Sequence, residues 1–117
     1  MVKIKHDEII DDIVERLEQS HPNGKSLDHL RFNWNGVDGE ADIAYSDKTG
    51  KNIYLIEVKT NDHKSARVKA TQQLYKDFVF FNNTGDYERF FLFYAYNSKQ
   101  NKHRPYYVEL MGIEHKE

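Results

Sequence analysis

The sequence predicts an α/β domain whose elements run helix, three strands, helix, two strands. Three observations predict it. Two stretches carry apolar residues at helical spacing, two others are apolar on both faces as interior strands are, and clusters of Asn, Asp, Gly, Ser and Pro separate them. At 117 residues the chain fits one domain, 1–117.

The first helix is expected over about His6 to Gln19, where Ile9, Ile10, Ile13, Val14 and Leu17 form one stripe. Ser20-His21-Pro22-Asn23-Gly24 ends it. Leu30 to Trp34 alternates as a short strand closed by Asn35-Gly36, and a second strand is expected from about Gly39 to Tyr45. Ser46 to Gly50 is turn chemistry. The third strand, Asn52 to Lys59, is apolar on both faces until its end and so belongs in the middle of the sheet. A second helix covers about Ser65 to Asn82, with Ala70, Leu74, Phe78 and Phe81 inward. Arg89 to Tyr96 reads as another interior strand, Lys99 to Arg104 as a polar basic loop, and Pro105 to Leu110 as an edge strand.

Composition narrows the function classes. Hydrophobic residues make up 38% and aromatics 14%, which is too apolar for a disordered tail. The absence of cysteine excludes disulfides, thiolate metal sites and cysteine nucleophiles. The N-terminal MVKIKHDEII lacks the apolar run of a signal peptide and no segment reaches membrane-spanning length, so a soluble, cytoplasmic protein without a membrane partner is expected. The net charge is −2, so the whole molecule is not a polycation. Its charge is uneven: Asp7 to Glu18 holds six acids and one base, whereas Lys59 to Lys76 holds five bases and one acid. Solvated helix faces account for this pattern, and so does a metal-dependent phosphodiesterase. Charge alone does not decide between them.

The informative residues interrupt the strands. Alternation puts Ile53, Leu55, Glu57 and Lys59 on one face, so an acid and a base project from the end of a strand that is otherwise core. If Lys48 to Lys51 form a four-residue loop, Asp47 pairs with Asn52 and the register carries Asp42 opposite Glu57. Directly opposed residues have Cβ atoms roughly 5 Å apart, and like charges there destabilise a sheet unless something offsets them. A divalent cation does so. Magnesium takes oxygen ligands, often one or two carboxylates with waters, and lowers the pKa of bound water. Lys59 would then stabilise developing charge or position the attacking water.

Gly39-Glu40-Ala41-Asp42-Ile43, followed by Ile56-Glu57-Val58-Lys59, resembles the motif of the PD-(D/E)XK nuclease superfamily, which includes restriction endonucleases and Holliday-junction resolvases. The resemblance runs from about His6 to Leu110, and Ala41 stands where the superfamily usually has proline. It implies a restriction-endonuclease-like core, order α-β-β-β-α-β-β, with a central mixed sheet flanked by helices. It implies Mg2+ or Mn2+ held by Asp42, Glu57 and the Val58 carbonyl, with Lys59 as the catalytic lysine. Many members carry an acid on the first helix; here the inward face offers His6, the margin offers Asp7 and Asp11, or the helix contributes nothing. Gln73-Leu74-Tyr75, with Gln72 beside it, is similar to a glutamine motif of several members, so Gln73 could orient water, while surface glutamines flanking a buried stripe explain it equally.

The function expected on this basis is hydrolysis of phosphodiester bonds in DNA by an endonuclease, on branched or structured DNA as in resolvases, with RNA as a further substrate class. Lys64, Arg67, Lys69, Gln72 and Lys76 are the expected nucleic-acid contacts. A homodimer is expected, joined through the aromatic strands Phe90 to Tyr96 and Tyr106 to Leu110. The alternative is a binding or accessory module that keeps the fold without catalysis.

Overall fold

The computed structural model describes residues 5–27, 30–97 and 105–116. The Asn35-Gly36 pair sets the first visible feature. Both residues take positive φ, 50° and 78°, as a two-residue hairpin turn of the primed type requires. It joins β2 (Leu30–Trp34) to β3 (Val37–Ala41) as a two-stranded ribbon. The chain then bends at Asp42 and enters β4 (Ile43–Ser46). The expected strand from Gly39 to Tyr45 is therefore two strands in two sheets. The physical reason lies in packing: Ala41 belongs to the core cluster beneath the second helix, and the bend carries β3 over that helix.

The five-stranded sheet runs β1 (Lys25–Ser26), β4, β5 (Asn52–Lys59), β6 (Arg89–Asn97), β7 (Tyr106–His115). Strand β1 was not expected, because two residues are too few to carry a pattern. Pairing of β5 with β6 is parallel and the other pairings are antiparallel, so the sheet is mixed. A parallel pair needs a crossover, and α2 (Lys64–Thr84) supplies it. The order is thus α-β-β-β-β-β-α-β-β. Strand β7 extends five residues past the expected end at Leu110, and Lys99 to Arg104 lies outside the described residues.

The two helices cover opposite faces. Helix α1 (His6–Ser20) packs Ile9, Ile10 and Ile13 against Ile43, Tyr45, Ile56, Val58 and Ala95. Helix α2 packs Leu74, Phe78 and Phe81 against Ala44, Ile53, Leu55 and Phe90. Each fully buried Leu, Ile or Phe contributes about 1.5–3 kcal/mol, so these clusters dominate stability. The Cα radius of gyration, 14.0 Å, is near the ~13 Å of a packed chain this long. Strand β6 is paired on both sides, so of the two aromatic strands expected at a dimer interface only β7 offers an open edge, with Val108, Leu110, Met111 and Ile113 exposed. No helix among the described residues is long and apolar enough to cross a membrane.

Candidate functional site

A tight loop fixes the register that assembles the site. Asp47 accepts from the Thr49 amide at 3.1 Å and from Asn52 Nδ2 at 2.7 Å, while its own amide donates to the Asn52 carbonyl at 3.1 Å. Pairing proceeds from there through Ser46↔Ile53 to Ile43↔Ile56, and the next step faces Asp42 with Glu57. This is the register expected from the sequence. Because Asp47–Asn52 exchanges a backbone bond, alternation makes Asp42–Glu57 a non-hydrogen-bonded position, where opposed side chains come closest.

At Asp42 the ladder gives way to a side chain. The Val58 amide, which would have met Ala41, donates instead to Asp42 Oδ2 at 2.9 Å. A strand residue's N–H and C=O point to the same edge, so the Val58 carbonyl also faces the Asp42 side, beyond the last β4 pair. Asp42 is 6% exposed and Glu57 5%. Lys59 Nζ stands 3.6 Å from Glu57 Oε1, and His6 Nε2, from the first turn of α1, stands 3.4 Å from Asp42 Oδ2. Asp42, Glu57, Val58, Lys59 and His6 therefore meet in one place. Asp7 contacts His6 at 3.4 Å rather than the carboxylates.

A sixth residue joins them that the sequence reading missed. Asp77 on α2 is fully buried, and its Oδ1 accepts from Gln73 Nε2 at 2.8 Å. Its signal was in the sequence: position 77 shares the helical phase of Leu74, Phe78 and Phe81, so an acid interrupts a buried stripe. Burial pushes the Glu57 carboxyl up to about 9, with the neighbouring Asp42 and Asp77 carboxylates adding to it and Lys59 opposing. Burial pushes Asp77 up to about 7, against the hydrogen bond from Gln73. Glu57 Oε2 and Asp77 Oδ2 are buried and have no hydrogen-bond partner. Buried charge without a partner is costly, and such shifts cluster at functional sites.

The donor set fits a hard cation. Two carboxylates and a carbonyl are oxygen ligands, and magnesium is commonly held by one or two carboxylates while keeping several waters. Among the described residues no three His, Cys, Asp or Glu side chains converge to hold a metal on their own. The fit is thus to an ion that retains water, not to one enclosed by protein.

The expected nucleic-acid contacts divide. Lys64, Lys69, Gln72 and Lys76 are exposed on α2. Arg67 is engaged: its guanidinium bonds Glu109 at 2.9 Å and Asp62 at 3.0 Å and lies over the Tyr94 and Tyr96 rings at 5.0 and 5.5 Å. A phosphate there would have to displace two carboxylates. Gln73 faces inward but acts on Asp77. Trp34 is half-buried and packs edge-on to Phe80. No family model, curated protein or solved structure matches this chain.

Proposed function

We propose that the protein is a divalent-cation-dependent nuclease of the restriction-endonuclease-like kind, acting on DNA as an endonuclease, with branched or structured DNA as the first substrate to try. The observation that carries this reading is the facing pair of buried carboxylates, Asp42 and Glu57, with one orphaned oxygen and a lysine 3.6 Å away. Asp42, Glu57 and the Val58 carbonyl would hold Mg2+ or Mn2+. When bound, such an ion polarises a phosphate and acidifies water.

The chain's own residues do the rest. Asp42 Oδ2 accepts from the Val58 amide at 2.9 Å and lies 3.4 Å from His6 Nε2, so both contacts orient the carboxylate through one oxygen. Glu57, raised by burial and by the neighbouring Asp42 and Asp77 charges, would be favoured as the carboxylate beside a cation, whose positive charge would offset that raising. Lys59 stays beside Glu57 on the same strand face and is placed to stabilise negative charge building on a phosphate. Lys64, Lys69 and Lys76 offer charges to the nucleic-acid backbone. A second copy meeting the first along the β7 edge would present two sites to two strands.

The test is a panel of labelled duplex, single-stranded and branched DNA, with RNA alongside, incubated with Mg2+, Mn2+ or EDTA. Cation-dependent cleavage abolished in Glu57→Ala is the expected result. Cleavage that survives EDTA overturns the mechanism, and cation-dependent binding of nucleic acid without cleavage favours the inactive-module reading.

A further inference from the structure

Asp77 is the most anomalous residue in the described chain. It is fully buried on α2 among Leu74, Phe78 and Phe81, yet one carboxylate oxygen has no partner. A helix that packed only for stability would carry leucine or alanine there, because replacing a buried ionic group with an apolar one is often stabilising. Gln73, one turn earlier, spends its amide on holding Asp77 at 2.8 Å. The held carboxylate is electrostatically coupled to Asp42 and to Glu57. Glu57 carries the other orphaned buried oxygen. Two unpartnered oxygens on neighbouring elements, one on β5 and one on α2, point to a shared ligand that donates hydrogen bonds or carries positive charge.

Direct coordination by Asp77 is not what the geometry favours, since no three acids among the described residues converge as ligands. We propose that Asp77 is a positioning residue of the cation site: held by Gln73, it accepts hydrogen bonds from the water that a divalent ion at Asp42 and Glu57 retains. This inference rests on the cation site proposed above and adds to it the residue that holds the ion's hydration shell. Magnesium gives up its waters reluctantly, so an acceptor one layer out contributes to affinity directly. Removing partners of that kind typically costs 10–100-fold in metal affinity. The arrangement also accounts for Gln73: its amide fixes the rotamer of the buried acid.

Asp77→Asn separates this role from a structural one, because it keeps the shape and the bond from Gln73 while removing the charge. Titration calorimetry with MnCl2 alone and thermal unfolding with and without MnCl2 are the measurements. The expected result is opposite movement: the metal-free Tm of Asp77→Asn rises, while its Mn2+ affinity falls about 10–100-fold and the Mn2+-induced rise in Tm shrinks. Gln73→Leu, which leaves the charge but frees the carboxylate, should lower affinity by a smaller factor. Asp86→Asn, at an exposed acid past the C-terminal end of α2, controls for net charge and should leave affinity unchanged. Unchanged Mn2+ affinity in Asp77→Asn, with the wild type binding, overturns the role of Asp77 and leaves the cation site standing. Failure of the wild type to bind Mn2+ overturns both.

Discussion

Two charged clusters lie at the C-terminal end of β5, and they are solved in opposite ways. Around Arg67 every charge is met: Glu109 and Asp62 flank the guanidinium, Tyr96 donates to Glu109 at 2.7 Å, and two aromatic rings cover the cation. The Arg67 bonds hold Glu109 below the usual carboxylate range. Around Glu57 the balance fails, with buried acids at 42, 57 and 77, orphaned oxygens on two of them, and one lysine at 3.6 Å. The difference teaches how to tell a structural ion cluster from a binding site. Folding alone favours complete pairing; a site that must accept a ligand keeps its electrostatic need open.

The comparison breaks first on activity. Glu57→Ala should abolish cation-dependent cleavage, because it removes a carboxylate that would hold the ion. Lys59→Ala should preserve cation and nucleic-acid binding while losing turnover, because its charge matters most in the transition state. Arg67→Ala should leave kcat within a few-fold and act on stability instead. Losing its bonds to two carboxylates and its ring contacts costs about 1–3 kcal/mol, toward the low end because the side chain is 34% exposed. A Tm drop of roughly 4 °C per kcal/mol would be read in a melt. An Arg67→Ala protein that melts like the wild type but no longer cuts would reverse the assignments of the two clusters.

Much of this contrast was legible in the sequence, and the illegible part has physical causes. Glu57 and Lys59 stood out because a charged pair ends an apolar strand, and Asp42 followed because loop length fixes register. The helices and β5 were readable because their patterns are long. The bend at Asp42 was not, since Gly39 to Tyr45 alternates as one strand would; only the competition between α2 and the sheet for Ala41 divides it. Strand β1 is held by two pairs with β4 and has no pattern of its own. Arg67 was read as a phosphate contact because its helical phase points inward, but its carboxylate partner Glu109 is 42 residues distant and comes from the β7 pairing. Asp77 was legible in principle, as the one acid on α2's buried stripe.

Proton linkage sharpens the comparison with a smaller effect. A carboxyl whose pKa is higher folded than unfolded binds more protons in the native state, so it stabilises below its unfolded value and that stability is lost as pH rises. Glu57, moved from 4.5 to about 9, and Asp77, moved from 3.8 to about 7, both act this way. Glu109 is lowered and acts oppositely: its contribution is present above 4.5 and is lost as pH falls through its depressed folded value. Metal-free protein should therefore lose several degrees of Tm between about pH 5 and pH 9, and Glu57→Gln should flatten that limb. Arg67→Ala should instead flatten the acid limb below pH 4.5. Saturating Mg2+ should remove the alkaline decline in the wild type. A metal-free Tm that is constant from pH 5 to 9 would mean the site's carboxyls are not raised as described.

The smallest effect distinguishes the two kinds of basic residue on α2. Phosphate contacts release counterions, so each lost contact reduces the slope of log affinity against log salt by about 1. Lys69 is exposed and available to a phosphate. Arg67 sits two positions earlier, held between Asp62 and Glu109. With cleavage blocked by EDTA, Lys69→Ala should weaken binding of a labelled branched DNA a few-fold and lower the salt slope by about 1. Arg67→Ala, measured below its own melting transition, should leave the slope unchanged. A guanidinium already neutralised by two carboxylates has no counterion to displace from the DNA. If Arg67→Ala flattens the slope as much as Lys69→Ala does, the clamp opens on binding, and the cluster read as closed is part of the nucleic-acid surface.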